Sequence, residues 1–482
     1  MGLFIKYPTD VQEELLFRLI DFSKNTEFGE HHNFSSINTY KEFATKVPIQ
    51  PYESIEPLIE RTRKGEQNLF WPTKIKWFAK SSGTTNAKSK FIPVSDEAIE
   101  DCHLKAGKDM LCLYINNNKQ TELFNGKALR LGGSSAIYED NNSYFGDLSA
   151  IIIENMPFWA DFSSAPSQET ALMSEWETKM EAIINETIHE NITSLVGVPS
   201  WMLVLLNRVL EKTGKDNILE VWPNLEVYFH GGVNFNPYRE QYKKLIPKKD
   251  FKYYETYNAS EGFFAIQDIN GSLDLLLMLD YGIFYEFIPM NNYIGENSLA
   301  IPLSRVKKGE SYAVVISTNS GLWRYLIGDT IKFTSLSPYK IKITGRTKHH
   351  INVFGEELII ENAEEALKLA CKKTKATITD YTVGPIFMDG NKQGSHEWVI
   401  EFANAPKKLE YFTELLDNAL KSINSDYEAK RYNNMTLVMP KIHSVKKGLF
   451  YSWLKKKGKL GGQHKVPRLS NKRDFVEELL SL

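Results

Sequence analysis

Hydrophobic and polar positions follow two rhythms along this chain. The first is helical. After Pro8-Thr9-Asp10, the residues Val11, Leu15, Leu16, Leu19 and Phe22 recur at three- and four-residue spacing. This predicts an amphipathic helix capped by Thr9, with Gln12 three residues on. Segments rich in Tyr, Phe and Pro follow, up to Lys80. Helical patterning returns at 95–115, after Pro93 and Ser95, and again at 167–190, 201–212 and 237–247. The second rhythm is that of strands. Residues 194–200 (SLVGVPS) read as a short strand into a turn, and 225–232 (LEVYFHGG) as a strand ending in a double glycine. Helices and strands in alternation predict α/β layers.

From about 251 to 344 the strand rhythm dominates: KYYETY, EGFFAIQ, DLLLMLD, IFYEFIP, YAVVIST, TIKF and IKITG, punctuated by glycines. Such a stretch can continue the sheet of the core, form a small barrel beside it, or do both. Beyond Gly345-Arg346, a helix at 358–372, a strand at 397–402, a helix at 407–423, a strand at 435–439 and a terminal helix at 471–481 predict a compact unit of domain size. The boundary falls near 345–350, which gives a large domain over 1–346 and a small one over 347–482.

Composition narrows the function classes. With 482 residues and 12% aromatics, the chain has material for more than one core. A net charge of -2 lacks the basic footprint of a nucleic-acid binder, and the run Lys455 to Lys457 reads as a solvated loop. Cys102, Cys112 and Cys371 are too widely spaced for a disulfide framework or metal cluster and fit a reducing compartment. The N-terminus lacks a signal-peptide pattern, and Lys6 stands where myristoylation of Gly2 needs Ser or Thr. No apolar run reaches membrane-spanning length. A soluble cytoplasmic protein is expected, without membrane, nucleic-acid or obligate protein partner.

Five segments carry candidate chemistry. Ser81 to Lys90 (SSGTTNAKSK) begins with five small residues, whose backbone can wrap an anion while hydroxyls, amides and two lysines supply donors and charge. It is not a Walker A loop, and a flexible surface turn is the alternative. In Glu255 to Gly262 (ETYNASEG), Tyr257 suits stacking on a flat ring, Ser260 donation to phosphate and Glu261 a Mg²⁺ ion; a plain strand–turn–strand is the alternative. Gly328-Asp329 suits the hydroxyls of a ribose, or is a simple turn. In Gly345 to Glu357, Arg346 can reach a phosphate or ribose. His349 and His350 are read as surface residues of a hinge, because neighbours in a strand point opposite ways. Gly461 to Arg468 (GGQHKVPR) is a basic loop whose Lys465 can neutralise developing charge, or a surface linker. Neither a G-x-S-x-G elbow nor a G-x-G-x-x-G fingerprint is present.

Taken together and in order, the opening helix, FWPTKIKWFAKSSGTT, VYFHGG, TYNASEGFF, WRYLIGD, ITGRTKHHINVFGEEL and GGQHKVPR resemble the acyl-acid amido synthetases of the auxin-responsive family. That family lies within the adenylate-forming superfamily of acyl-CoA synthetases, luciferase-like enzymes and peptide-synthetase adenylation domains. The likeness spans nearly the whole chain. It implies a mixed α/β fold: a large layered N-terminal domain with a β-barrel-like part, and a small mobile α+β C-terminal domain. It also implies a ligase that uses ATP and Mg²⁺ to adenylate a carboxylic acid, then passes the acyl group to an amine, expected to be an amino acid. The alternatives are an acyl-CoA synthetase with a thiol acceptor and a non-catalytic nucleotide-binding protein of the same fold.

By this resemblance Ser82, Gly83, Thr84 and Thr85, with Lys90, hold the ATP phosphates, and Gly231 and Gly232 lie beside adenine and acyl group. Tyr257 stacks on adenine, Ser260 donates to the α-phosphate, Glu261 is the Mg²⁺ carboxylate, Asp329 binds ribose and Arg346 follows it. Lys465 is the adenylation lysine, and with Glu261 and Thr85 it forms the implied catalytic set. There are three departures. Tyr325-Leu326-Ile327-Gly328-Asp329 lacks the arginine of the family's Tyr-Arg-x-Gly-Asp, although Arg324 is adjacent. Lys348 stands where the superfamily has a hinge aspartate, and Asn86 where a small residue is common. These bear on substrate and domain motion more than on nucleotide binding. Trp201, Tyr228 and Phe229, near predicted strand ends, fit an aryl or indole acid, although most such aromatics serve the core.

Overall fold

The computed structural model describes residues 1–482 apart from 82–89, 133–136, 141–142, 233–234, 236–237, 348–349, 352–355, 357, 388–392, 425–426, 429–430, 432–436, 460–465 and 471, and apart from the side chains of Ser81, Trp159, Ser200 and His350. The chain divides into two compact units. One holds Met1–Val233, Lys244–Ile343 and Gly461–Gln463; the other holds Asn234–Lys243, Thr344–Leu460 and His464–Leu482.

The first unit is built on a twelve-stranded sheet. Its order is Ile301–Pro302, Ile283–Pro289, Ser311–Thr318, Tyr325–Leu336, Tyr339–Arg346, Leu275–Leu277, Gly262–Ile266, Lys252–Ala259, Val227–Gly231, Ile192–Gly197, Lys127–Leu131 and Ser164–Ala165. The strands from Lys252–Ala259 onward pair in parallel, because helices such as Trp176–Thr187 and Pro199–Thr213 carry the chain back between them. At Ser260-Glu261 the chain instead reverses in two residues, and the later strands pair antiparallel. The strand-rich stretch thus continues the core sheet.

It also curls. Strands Lys252–Ala259 and Tyr325–Leu336 are four places apart in the sheet, about 19 Å if it were flat. Yet the Tyr257 hydroxyl meets the Asp329 carboxylate at 2.7 Å. The rings of Phe264 and Tyr285, on strands five places apart, have centroids 6.3 Å from each other. This barrel-like wrap encloses Tyr257, Phe264, Tyr285, Phe287, Tyr312 and Phe333, which belong to one buried cluster. A separate four-stranded sheet has the order Lys90–Val94, Trp77–Ser81, Ser143–Gly146 and Tyr138–Asp140.

The helix expected after a Thr9 cap runs over Pro8–Ser23, starting two residues earlier than that cap would place it. Pro8 occupies its first turn, where a missing N–H costs nothing, and Thr9 makes no cap. Phe22 is exposed, and the buried seam includes Gln12. The Gln12 amide donates to the carbonyls of Leu279 and Ile283, both at 2.9 Å, and accepts from the Tyr285 N–H at 2.8 Å. The segment expected at 95–115 is Asp96–Ala98, a π-helical turn at Ile99–Leu104 and Lys105–Asn117, with Ser95 accepting from the Ala98 N–H. The expected 167–190 helix is divided into Gln168–Ala171 and Trp176–Thr187. Cys102 lies buried on the π turn, where its sulfur accepts from the Phe263 N–H, whereas Cys112 is exposed.

In the second unit, helices Ile360–Thr374 and Leu409–Ile423 accompany a three-stranded sheet of Thr377–Ile386, Ser395–Asn404 and Lys441–Val445. The first of these strands is not among the elements expected from the sequence. The last lies beyond the expected 435–439, of which 435 and 436 fall outside the described residues. Lys455 and Lys456 close the helix Leu449–Lys456 rather than lying in a loop, because Leu449, Phe450, Trp453 and Leu454 bury a helical face beneath them. The terminal helix is Asp474–Leu480. Glu397 is buried at the centre of a charged knot: His443 Nε2 lies 2.8 Å and Lys441 Nζ 3.1 Å from its Oε1, and Arg473 Nη2 lies 2.7 Å from its Oε2. Among the described residues, no helix is long and apolar enough to cross a membrane.

Candidate active site

The site grows from the junction of the parallel and antiparallel halves of the sheet. Strand Val227–Gly231 ends at the double glycine, with Gly231 in register with Thr256. A Cβ on Gly231 would stand 2.7 Å from the Thr256 carbonyl oxygen, so only glycine lets the strands close here. Gly232 takes a left-handed φ of 80°, turning the chain away. One strand further on, Ala259 and Gly262 pair across the two-residue turn that carries Ser260, which is buried, and Glu261.

The curl of the sheet brings the strand Tyr325–Leu336 to this turn. Tyr257, 5% exposed, packs against Phe264 at a centroid distance of 4.8 Å, and its hydroxyl donates to Asp329. Asp329 is itself buried, and Gly328 before it has a φ of 88°. The Tyr325 hydroxyl lies 3.4 Å from the Glu261 carboxylate. Gly231, Tyr257, Ser260, Glu261 and Asp329 are therefore gathered in the first unit. Tyr325 and Thr256, which are not among the candidates in the sequence, join them.

Arg324 lies next to the site but is committed elsewhere. Its guanidinium forms a buried fork with Glu286, Nε to Oε2 at 2.9 Å and Nη2 to Oε1 at 2.8 Å. Nη1 donates to the carbonyls of Ala44 and Val47, and Tyr40 donates to the same Glu286. With its donors held in this way, Arg324 is a tie between the N-terminal helices and the sheet. Proximity in sequence does not make it a substitute for the arginine that the Tyr325–Asp329 segment lacks.

Lys90 opens the strand Lys90–Val94 opposite Ser81, with Nζ 5.2 Å from the centre of the Tyr52 ring. Ser82, Gly83, Thr84 and Thr85 lie outside the described residues, as do Asn86, Lys348, His349 and Lys465. Arg346 ends the strand Tyr339–Arg346 and counts with the second unit. Trp201, Tyr228 and Phe229 are all buried, as core aromatics are. Among the described residues, no group of three or more His, Cys, Asp or Glu side chains is disposed to hold a metal ion.

Comparison with known proteins agrees along the whole length. The GH3 family N-terminal domain matches residues 1–251, the GH3 family central domain 276–346 and the GH3 family C-terminal domain 361–474. The indole-3-acetic acid-amido synthetase GH3.3 of Arabidopsis thaliana is 22% identical over 544 aligned residues, covering 97% of this chain and 90% of its own. The jasmonoyl–L-amino acid synthetase JAR6 of Nicotiana attenuata is 23% identical, with 98% and 93% covered. Among solved structures, the AtGH3.15 acyl acid amido synthetase in complex with 2,4-DB superposes with a TM-score of 0.82 at 17% identity, covering 98% of this chain and 93% of that one. A 2-hydroxyisobutyryl-CoA ligase in its postadenylation state gives 0.63 at 12% identity, with 98% and 92% covered.

The fold is that of the adenylate-forming enzymes. Within that class, the chain belongs to the GH3 family of acyl-acid amido synthetases.

Proposed function

We propose that this protein joins a small carboxylic acid to an amino acid through an acyl-adenylate. The chain is an ATP-dependent ligase that adenylates a carboxylic acid and transfers the acyl group to an amine. The amino acid as acceptor, Mg²⁺ as the metal and the roles of individual residues belong to this proposal. One observation supports it most: the curled sheet gathers Gly231, Tyr257, Ser260, Glu261 and Asp329, which the resemblance assigns to one nucleotide, although up to 98 residues separate them in the chain.

In the first step a carboxylate oxygen of the acid attacks the α-phosphorus of ATP in line and pyrophosphate leaves. Such a reaction needs positioning and charge neutralisation more than covalent help. Ser82 to Thr85 and Lys90 hold the phosphates, Ser260 donates to the α-phosphate, and Asp329, oriented by Tyr257, accepts from the ribose. Arg346, the last residue of the strand Tyr339–Arg346, assists. Mg²⁺ prefers oxygen ligands and takes most of them from phosphates and water, so the single carboxylate of Glu261 suits it without a protein cage. When bound, the ion neutralises charge on the phosphates. Lys465 adds the last positive charge from the small domain over 347–482, which moves aside for the second step. There a neutral amine attacks the mixed anhydride and AMP leaves. Three free thiols suit a reducing compartment such as the cytoplasm.

The test is ATP–pyrophosphate exchange with Mg²⁺ and a panel of aryl, indole and fatty acids, on the protein and on Lys465→Ala and Glu261→Ala. Acid-dependent exchange, lost in both variants, is the expected result; the amide is then sought by mass spectrometry with each amino acid, and with CoA as the competing acceptor. A protein that fails to bind ATP overturns the reading.

A further inference from the structure

The two segments that meet at the site share a spacing. Each carries a tyrosine and, four residues on, a carboxylate: Tyr257 with Glu261, and Tyr325 with Asp329. They meet head to tail, so each tyrosine reaches the carboxylate of the other segment. The Tyr257 hydroxyl donates to Asp329 Oδ2 at 2.7 Å, and the Tyr325 hydroxyl is the donor towards Glu261 Oε1 at 3.4 Å. The first contact serves the carboxylate assigned to ribose. The second engages the carboxylate assigned to Mg²⁺.

The fold holds Tyr325 in place. It belongs to the large buried cluster of the first unit, with 0% of its surface exposed. The backbone on either side is pinned. The Gln50 N–H donates to the Arg324 carbonyl and the Leu326 N–H to the Gln50 carbonyl, each at 2.9 Å, and the Arg324 N–H donates to the Ser317 hydroxyl at 2.9 Å. These bonds keep Arg324 at a left-handed φ of 46°, a setting that few residues with a side chain adopt. Along the strand, Tyr325, Ile327 and Asp329 are buried while Leu326 and Gly328 are partly exposed, so the tyrosine and the aspartate share the inward face. Glu261, by contrast, is half-buried on a two-residue turn. A fixed donor thus faces a carboxylate carried by a turn.

At 3.4 Å this contact is longer than a well-formed O–H···O bond of roughly 2.5–3.0 Å, so it adds little to folding stability. Its direction matters more. Mg²⁺ keeps near-ideal octahedral geometry, so a single carboxylate ligand must present its oxygen at a set angle. A donor on one oxygen of a carboxylate fixes the plane of the group and hence the aim of the other oxygen. We propose that Tyr325 is a positioning residue for the metal: its hydroxyl, engaged on Glu261 Oε1, aims the Glu261 carboxylate at the Mg²⁺ that accompanies ATP. Tyr325 itself touches neither metal nor nucleotide. The crossed contacts then keep the ribose and metal carboxylates in one fixed relation. The inference rests on the assignment of Glu261 to Mg²⁺ in the proposed function.

The experiment measures ATP binding by calorimetry in excess Mg²⁺ and in excess EDTA, for the protein, Tyr325→Phe, Glu261→Gln and the double variant, with the thermal midpoint of each. Partners that orient a metal ligand are worth about 10–100-fold in metal affinity. For Tyr325→Phe, the gain in ATP affinity on adding Mg²⁺ is expected to shrink by about tenfold or more. Its affinity in EDTA and its thermal midpoint should match those of the parent. In the Glu261→Gln background the same substitution should remove nothing further, which a merely structural tyrosine would not predict. A Mg²⁺ gain equal to the parent's overturns the proposal, as does an equal loss in EDTA or in the Glu261→Gln background. A Tyr325→Phe chain that does not fold marks a core residue and overturns it too. If the parent binds ATP but gains nothing from Mg²⁺, this inference falls while pyrophosphate exchange still decides the functional reading; if the parent binds no ATP, both fall.

Discussion

The Tyr257 hydroxyl helps to orient the Asp329 carboxylate, to which it donates. Tyr257 packs its ring on Phe264 and donates to Asp329, so one side chain serves both the flat-ring and the ribose ends of the proposed nucleotide site. Tyr257→Phe keeps the ring and removes the hydroxyl that makes this bond. A hydrogen bond to a charged group contributes about 1.5–3 kcal/mol, so KM for ATP is expected to rise about tenfold or more while kcat changes little. Steady-state exchange kinetics check this. The sequence shows Tyr257 and Asp329 as two separate candidates, 72 residues apart, and nothing local announces that they meet. Gly231 is different: a glycine at a strand end is visible in the sequence, and only its cause, the Thr256 carbonyl 2.7 Å from where a Cβ would stand, needs the fold.

At the scale of elements, the strand Ser395–Asn404 depends on the charge of Glu397. Burial alone would raise the pKa of this carboxyl, but hydrogen bonds from His443, Arg473 and Lys441 outweigh it and hold the pKa at about 2. The folded pKa lies below the unfolded value, so the folded state binds fewer protons. The stabilisation is therefore present above about pH 4.5 and is lost as pH falls towards 2. It amounts to about 2 kcal/mol once solvent screening of the exposed Lys441 is allowed for. Glu397→Gln should lower stability by about that much at pH 7 and flatten the loss between pH 4.5 and 2, read by urea unfolding at both ends of the range. Other elements show where periodicity misleads. Thr377–Ile386 contains Asp380 and Pro385, which argue against a strand, and Asp380 is accommodated by an ion pair with Arg468. Gln12 interrupts an apolar seam because it satisfies three backbone groups at once, a role that no pattern of hydrophobic positions encodes.

Over the whole molecule, the order of the motif segments was legible and their meeting place was not. Segments from Ser81 to Arg468 announce the family in one dimension, but the curl that gathers the site depends on strand pairings between residues far apart in sequence. One tie in that architecture is the buried fork of Arg324 and Glu286, with Tyr40 and the Ala44 and Val47 carbonyls around it. Arg324→Met would leave Glu286 charged and buried, at a cost of about 3–5 kcal/mol in denaturant unfolding. KM for ATP in the molecules that remain folded should be unchanged, which would distinguish this tie from the nucleotide site.

The three cysteines, placed by the fold in unlike surroundings, give the protein a ready attachment point. Burial pushes the Cys102 and Cys371 thiols up to about 12, which keeps both protonated and unreactive at neutral pH. Cys112 is exposed on the helix Lys105–Asn117. A maleimide dye at pH 7 should therefore add once per chain, at Cys112, with intact mass and peptide mapping as the readout. No cysteine would have to be engineered in or out to give the enzyme a spectroscopic reporter.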